Sequence, residues 1–401
     1  MKIETIRVKN FKSLRDVEIQ KLPAYSVFIG RNGTGKSTLF RVFAFLKNCL
    51  AKNVRLALNC EGGRNGFREV ISRGHENEDL ELEIQFRLEI AGVNRLVTYL
   101  LKIGESETQT PIVKREILRY KRGSKGTPFH FLDFEKGKGF AITNEEDVDK
   151  PDAELQRENQ ELESPDILAI KGLGQFARFK AASAFRHLIE NWHISDFHIS
   201  NTRGDKDFAE VEHLSESGDN LPSMARFLFD KHPKIFNDIK VKMQKRVPGI
   251  SDIQVKVTED GRLVMRYKDG AFKDPFFDKN VSDGTIKMFA YLVLLADPSP
   301  HPILCVEEPE NQLYPELMGI LAEEFHQYTE RGGQVFVSTH SPDFLNAVPL
   351  ESIFWLEKEK GETSVHRAVD VPLLRRLTQE GDLPGYLWNQ DLFEKKRLPL
   401  E

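Results

Sequence analysis

The stretch Tyr25-Ser26-Val27-Phe28-Ile29-Gly30-Arg31-Asn32-Gly33-Thr34-Gly35-Lys36-Ser37-Thr38-Leu39-Phe40 carries three local instructions in order. Val27 to Ile29 is an apolar run suited to a buried strand, and Leu39, Phe40, Phe43, Ala44 and Leu46 then recur at helical spacing to about Leu50. Between them, Gly30 to Ser37 fits G-x-x-x-x-G-K-S/T, a phosphate-binding loop in the strand, loop, helix context its mechanism requires. Its glycines let backbone N–H groups turn inward round a phosphate, and the helix N-terminus adds partial positive charge. Lys36 is expected to reach the β- and γ-oxygens of ATP, and Ser37 to offer its hydroxyl to Mg2+. Gly30, Asn32, Gly33, Gly35 and Thr38 complete the cradle.

Such a loop needs carboxylates at the end of a neighbouring buried strand. Ile303-Leu304-Cys305-Val306-Glu307-Glu308 supplies a pair, with Glu307 expected on the metal side and Glu308 as general base. Downstream, Val335 to Ser341 reads as another buried strand ending in a polar turn, where the imidazole of His340 can touch a γ-phosphate or orient water. Val281-Ser282-Asp283-Gly284-Thr285 opens a helix whose free N–H groups suit an anion.

Around these motifs the chain alternates between strand and helix patterns. Ile3, Thr5 and Arg7 oppose Glu4, Ile6 and Val8, a second run covers Val17 to Ile19, and several alternating runs fill Leu80 to Phe134. Glu145 to Glu163 holds nine acidic against two basic residues and is expected to be a solvated loop or a frayed helix packing against nothing. Helical patterns near Phe185 to Trp192 and from Met224 to Val247 suggest a small lid. The last third returns to α/β alternation.

The phosphate loop, Ser-Asp-Gly-Thr, Glu-Glu pair and Ser-Thr-His occur in the order of an ABC-type ATPase head, and the set resembles the bacterial AAA-like ATPases of the RecF, SMC and OLD group. Ile6 to Ser13 looks like that group's Asn-Phe-Arg/Lys-Ser segment leading into the first strand. Glu307-Glu308-Pro309-Glu310 through Leu313 and Pro315 is similar to its Glu-Glu-Pro-Glu-x-x-Leu-His-Pro segment. The resemblance implies an α/β fold: a P-loop core plus an antiparallel β subdomain, with an inserted helical lid. It divides the chain into lobes at 1–140 and 251–401 around an insertion at 141–250. It also implies that Ser282 and Gly284 act in trans, across an ATP-sandwiched homodimer or higher oligomer. Tyr314 stands where the group usually has His, and Glu307 where most ABC heads have Asp, so slow turnover is expected. Absence of heptads between Ser37 and Ser282 separates the chain from coiled-coil SMC proteins, and with a short stretch after His340 any nuclease is expected on another chain. The implied function is an ATPase controlling a separate, nearby-encoded effector (nuclease or toxin) in anti-phage defence; the alternative is a RecF-like, ATP-dependent DNA-binding repair protein.

Composition constrains the partners. A net charge of −5 offers no overall field for a polyanion, so DNA contact would need a local patch such as Lys114, Arg115, Arg119, Lys121, Arg122 and Lys125, with Glu116 the only nearby acid. A solvated hairpin face explains the same residues. His193 and His198 lack a third ligand, and no zinc site is expected from them. Three cysteines make no disulfide framework, no apolar run approaches the roughly 20 residues of a membrane span, and Met1 to Glu4 opens no signal peptide. A cytoplasmic protein without membrane contact is expected.

Overall fold

The computed structural model describes residues 2–90, 92–121, 128–147, 150, 154–197, 199–204, 206–207 and 211–393. They fall into two compact units, one of 1–192 with 351–371, the other of 193–350 with 372–401. The first begins with β1 (Ile3–Phe11), β2 (Leu14–Ile19), β3 (Tyr25–Ile29), α1 (Lys36–Ala51), α2 (Val54–Gly62) and α3 (Gly66–Val70). It continues through β4 (Leu80–Ile90), β5 (Val93–Glu105), β6 (Pro111–Tyr120), β7 (Phe129–Glu135), β8 (Lys138–Ile142), β9 (Arg157–Glu161), α4 (Ala169–Leu173) and α5 (Lys180–Glu190). The second unit holds β10 (Trp192–Ser195) from His193 onward, α6 (Ile199–Thr202), β11 (Lys206–Asp207), α7 (Leu221–Lys231), α8 (Pro233–Arg246), β12 (Ile250–Val257), β13 (Arg262–Asp269) and β14 (Phe276–Phe277). There follow α9 (Asp283–Leu295), β15 (Ile303–Glu307), α10 (Met318–Glu330), β16 (Gln334–Ser338) and α11 (Pro342–Leu345). β17 (Ile353–Glu359) and β18 (Glu362–Arg367) return to the first unit, and α12 (Pro372–Gln379) and α13 (Pro384–Asn389) to the second.

Period-two burial makes one face of the first unit's large sheet apolar, so its eight strands, in the order β2-β1-β4-β5-β6-β7-β8-β9, cover a core. Phe185 of α5 fills that face, stacked on Phe86 at 4.5 Å and tilted against Tyr99 at 4.6 Å. Strict alternation would place Ile3 and Ile6 on opposite faces. A register shift between Ile3 and Thr5 against β4 brings both inside. In the same unit β3 and β17 pair in parallel, and α1 packs Phe40 edge-on to Phe28, which stacks on Phe354. In the second unit β15 and β16 are parallel, with every residue buried up to Val306 and throughout Gln334–Ser338.

Three expectations differ from the structure here. The acidic segment is no free loop: Arg157–Glu161 pairs with β8 as the edge strand, and the buried Glu145 carboxylate accepts the Ala181 N–H of α5 at 2.7 Å. The stretch 141–250 is divided between the two units, with α7 and α8 belonging to the second. The Asn10 to Ser13 motif ends the first strand instead of entering it. It forms the turn that leaves β1 for β2, with Asn10 and Lys12 at positive φ. Asn10 is fully buried there; its Nδ2 donates to His75 O and Glu78 O, and its Oδ1 accepts Ser72 N–H.

Candidate functional site

In the first unit the phosphate loop joins the buried strand β3 to α1. Any Cβ on Gly30 would lie 2.7 Å from the carbonyl oxygen of Leu356, and Gly35 holds φ +108° while its missing Cβ leaves room for Thr363 and Ser13. Neither position tolerates a side chain. Gly35 offers no side-chain cap and the first turn of α1 holds no acid, so the helix N-terminus keeps N–H groups available to an anion. Lys36 is buried with its ammonium 2.7 Å from Gly30 O, and Thr34 Oγ1 donates to Arg31 O at 2.8 Å. Asn32, Gly33 and Ser37 are exposed and Thr38 half-buried, leaving the Ser37 hydroxyl accessible to a metal ion.

Thr363 of β18 braces this loop, a residue the motif does not contain. Its Oγ1 donates to Thr34 O at 2.8 Å and lies 2.9 Å from Ser13 Oγ, while its N–H donates to Ser13 O. The 6–13 motif thereby reaches the phosphate loop through one threonine.

In the second unit four buried residues of β15 deliver Glu307 to the strand end, in register with Ser338. Glu308 follows at φ +41°, a left-handed conformation a non-glycine residue seldom adopts, fixed by its N–H donating to Ser338 O at 2.8 Å. His340, half-exposed after β16, places Nδ1 3.7 Å from Glu308 Oε1 and 3.2 Å from Glu310 Oε1. Glu310 Oε1 also accepts Thr339 Oγ1–H and the His340 N–H, at 2.9 and 2.8 Å. Glu310 is therefore the hub of the cluster, although the sequence assigned it no role.

The Ser282 motif is continuous with these acids. Exposed Ser282 caps α9, its Oγ accepting Thr285 N–H. A Cβ on Gly284 would sit 2.6 Å from Gln312 O, and the Lys287 ammonium donates to Asn311 O at 2.7 Å. Burial lowers the Lys287 pKa to about 8, opposed by the nearby carboxylates of Glu310, Asp196 and Glu308. Arg203, also unforeseen, holds the motif from α6's end: its guanidinium donates to Asp278 O, Val281 O and the Asp283 carboxylate. Tyr314 is largely exposed.

Two members of the basic stretch are ion-paired. Lys114 pairs with Asp79 at 2.6 Å, and Arg115 with Asp133 and Glu135, all supplied by neighbouring segments. Glu116 turns to the other face, where it is fully buried and accepts the Ala169 and Ile170 N–H groups and the Tyr99 hydroxyl; desolvation raises its pKa to about 7. Arg122, Lys125 and His198 lie outside the described residues. All three cysteines are free, and no helix among the described residues is long and apolar enough to cross a membrane.

A family model described as "AAA domain, putative AbiEii toxin, Type IV TA system" matches residues 26–150 and 144–346. The DNA replication and repair protein RecF of Lactococcus lactis subsp. cremoris (strain SK11) is 26% identical over 147 residues, 35% of this chain and 40% of that protein. RecF of Listeria monocytogenes serotype 4b (strain CLIP80459) is 28% identical over 142 residues, 34% of this chain and 38% of that protein. The chain thus spans at most 40% of the length of these curated relatives. Among solved structures, the SmcHead bound to the C-winged helix domain of ScpA superimposes over 91% of this chain and 98% of its own, with a TM-score of 0.56 at 14% identity. The fold is accordingly that of an SMC-type, ABC-like ATPase head.

Proposed function

The chain belongs to the AAA-domain family described as a putative AbiEii toxin of type IV toxin–antitoxin systems, and from that premise we propose that it binds ATP, hydrolyses it to ADP and phosphate, and uses the nucleotide state to control a second macromolecule. The observation that carries this reading is the cradle of Gly30 to Ser37: a helix N-terminus free of acids, an accessible Ser37 hydroxyl, and two glycines where no side chain fits. These features suit a nucleotide triphosphate with its Mg2+.

On binding, Lys36 exchanges Gly30 O for the β- and γ-phosphate oxygens. Ser37 and Glu307 are the residues that would hold Mg2+, which when bound offsets charge on those phosphates. Glu308 takes a proton from the water that attacks the γ-phosphorus as the bond to the ADP oxygen breaks. His340, steadied by Glu310, orients the γ-phosphate. Ser282 of a second copy closes the nucleotide from outside, consistent with its exposure on this chain. Lys36→Ala and Glu308→Gln should each lower hydrolysis about 10²- to 10⁴-fold, the second while keeping ATP binding. Wild-type rates in both variants would refute the assignment.

The controlled macromolecule is, in this reading, an effector protein of a defence pair, supported by the toxin–antitoxin description of the family. Copurification with the product of the adjacent gene tests it, and a stable lone assembly counts against it. The RecF similarity favours a second reading, ATP-dependent DNA binding. It predicts salt-sensitive binding weakened by Arg119→Glu, and absence of binding at low salt would exclude it.

A further inference from the structure

The second unit gathers a set of donor side chains apart from the phosphate chemistry. His213 precedes α7, Asp297 lies one residue past the C-cap of α9, and His301 stands just before β15. One ligating atom from each falls within 4.8 Å of the other two. Asp297 is 1% and His301 7% exposed, while the His213 side chain, at 33%, opens to solvent. Asp297 Oδ2 lies 2.8 Å from His213 Nδ1, and Oδ1 accepts the Ser299 N–H at 2.8 Å. The His213 and His301 rings are 4.7 Å apart, and the buried ring of His193 on β10 is also 4.7 Å from His301.

An ordinary buried ion pair needs one carboxylate and one imidazole. Here three imidazoles crowd one another beside a single carboxylate, an arrangement that repels itself if the rings are protonated and presents converging lone pairs if they are neutral. Two imidazoles and one carboxylate form the N2O donor set of Zn2+ and related divalent transition metals. Spacing along the sequence concealed it. His193 pairs with His198 in a local search, whereas the fold brings in His213, Asp297 and His301 from three separate connecting segments.

We propose that His213, Asp297 and His301 form a binding site for a divalent transition metal ion, with Zn2+ its best-suited occupant. Bond lengths of about 2.0–2.2 Å set donor atoms roughly 3.3 Å from one another, so the wider separations in the cluster, up to 4.8 Å, close while the 2.8 Å contact of His213 with Asp297 opens slightly. His213 supplies that freedom, because it lies at the surface on a connecting segment and gives the ion its way in. The ion would tie the C-terminal end of α9 to the start of β15. Since α9 has 13 residues and begins at the Ser282 motif, it would fix one end of a rod about 20 Å long whose other end carries the signature serine.

The test uses the full chain without a histidine tag, stripped by chelator and titrated with Co2+ and then Zn2+. The expected result is one equivalent of Co2+ with visible d–d absorption, displaced by Zn2+. Affinity should fall about 10- to 100-fold in His213→Gln and in His301→Gln, and stay unchanged in the control His326→Gln. His213→Gln alters a partly exposed residue, so circular dichroism of that variant separates lost ligation from lost folding. Failure of the wild type to bind near one equivalent would overturn the proposal. So would equal binding by the folded His213→Gln protein.

Discussion

Glu116 on β6 and Glu145 just after β8 carry their carboxyl groups into the interior. Burial raises their pKa values to about 7 and about 8, outweighing the backbone N–H groups they accept. A carboxyl whose native pKa exceeds its unfolded value binds more protons when folded, so its contribution is complete below the unfolded value of 4.5 and is lost as pH rises to the native value. For Glu116 that loss is on the order of 3 kcal/mol. Glu116→Gln should therefore gain melting temperature relative to the wild type as pH climbs from about 4.5 to about 7, read by thermal denaturation across that window. Parallel curves would contradict it. Glu310 makes a different residue-scale prediction. Glu310→Ala releases both Thr339 and the His340 backbone, so kcat should fall at least tenfold with little change in the KM for ATP. A change confined to KM would remove Glu310 from its steadying role.

At the scale of elements, β18 and the end of α6 hold motifs that they do not contain. Thr363→Val deletes the hydrogen bond to Thr34 O, and should cost about 1 kcal/mol of stability and raise the KM for ATP. Chemical denaturation together with steady-state kinetics reads both effects. Arg203→Ala frees the turn before α9 and should reduce hydrolysis while leaving nucleotide binding to the phosphate loop intact, as equilibrium binding would show. Neither partner was visible in the sequence. β1 to β6, α1, α9, β15 and β16 were, because each buries a face whose spacing is written locally, and the phosphate loop is a local signal as well. β9 was missed because Arg-Glu-Asn-Gln-Glu has no apolar face; it is an edge strand held by backbone pairing with β8. The roles of Glu310, Arg203 and Thr363, like the His213, Asp297 and His301 cluster, arise only from contacts between distant segments.

For the whole molecule, the proposed function makes assembly conditional on nucleotide. Glu308→Gln with ATP should shift from monomer to dimer or larger in light scattering. Adding Ser282→Arg should abolish the shift, by placing bulk and charge where a second copy would meet the phosphates. A monomer in every state would contradict trans closure.

The bond between Thr363 and Thr34 links positions 329 residues apart. On a ribosome adding about 5–20 residues per second, the phosphate loop emerges roughly 16–66 s before the threonine that braces it. A nascent chain therefore displays the phosphate motif long before it can hold the motif in shape. A chain stalled before β18 would lack that brace on its phosphate loop.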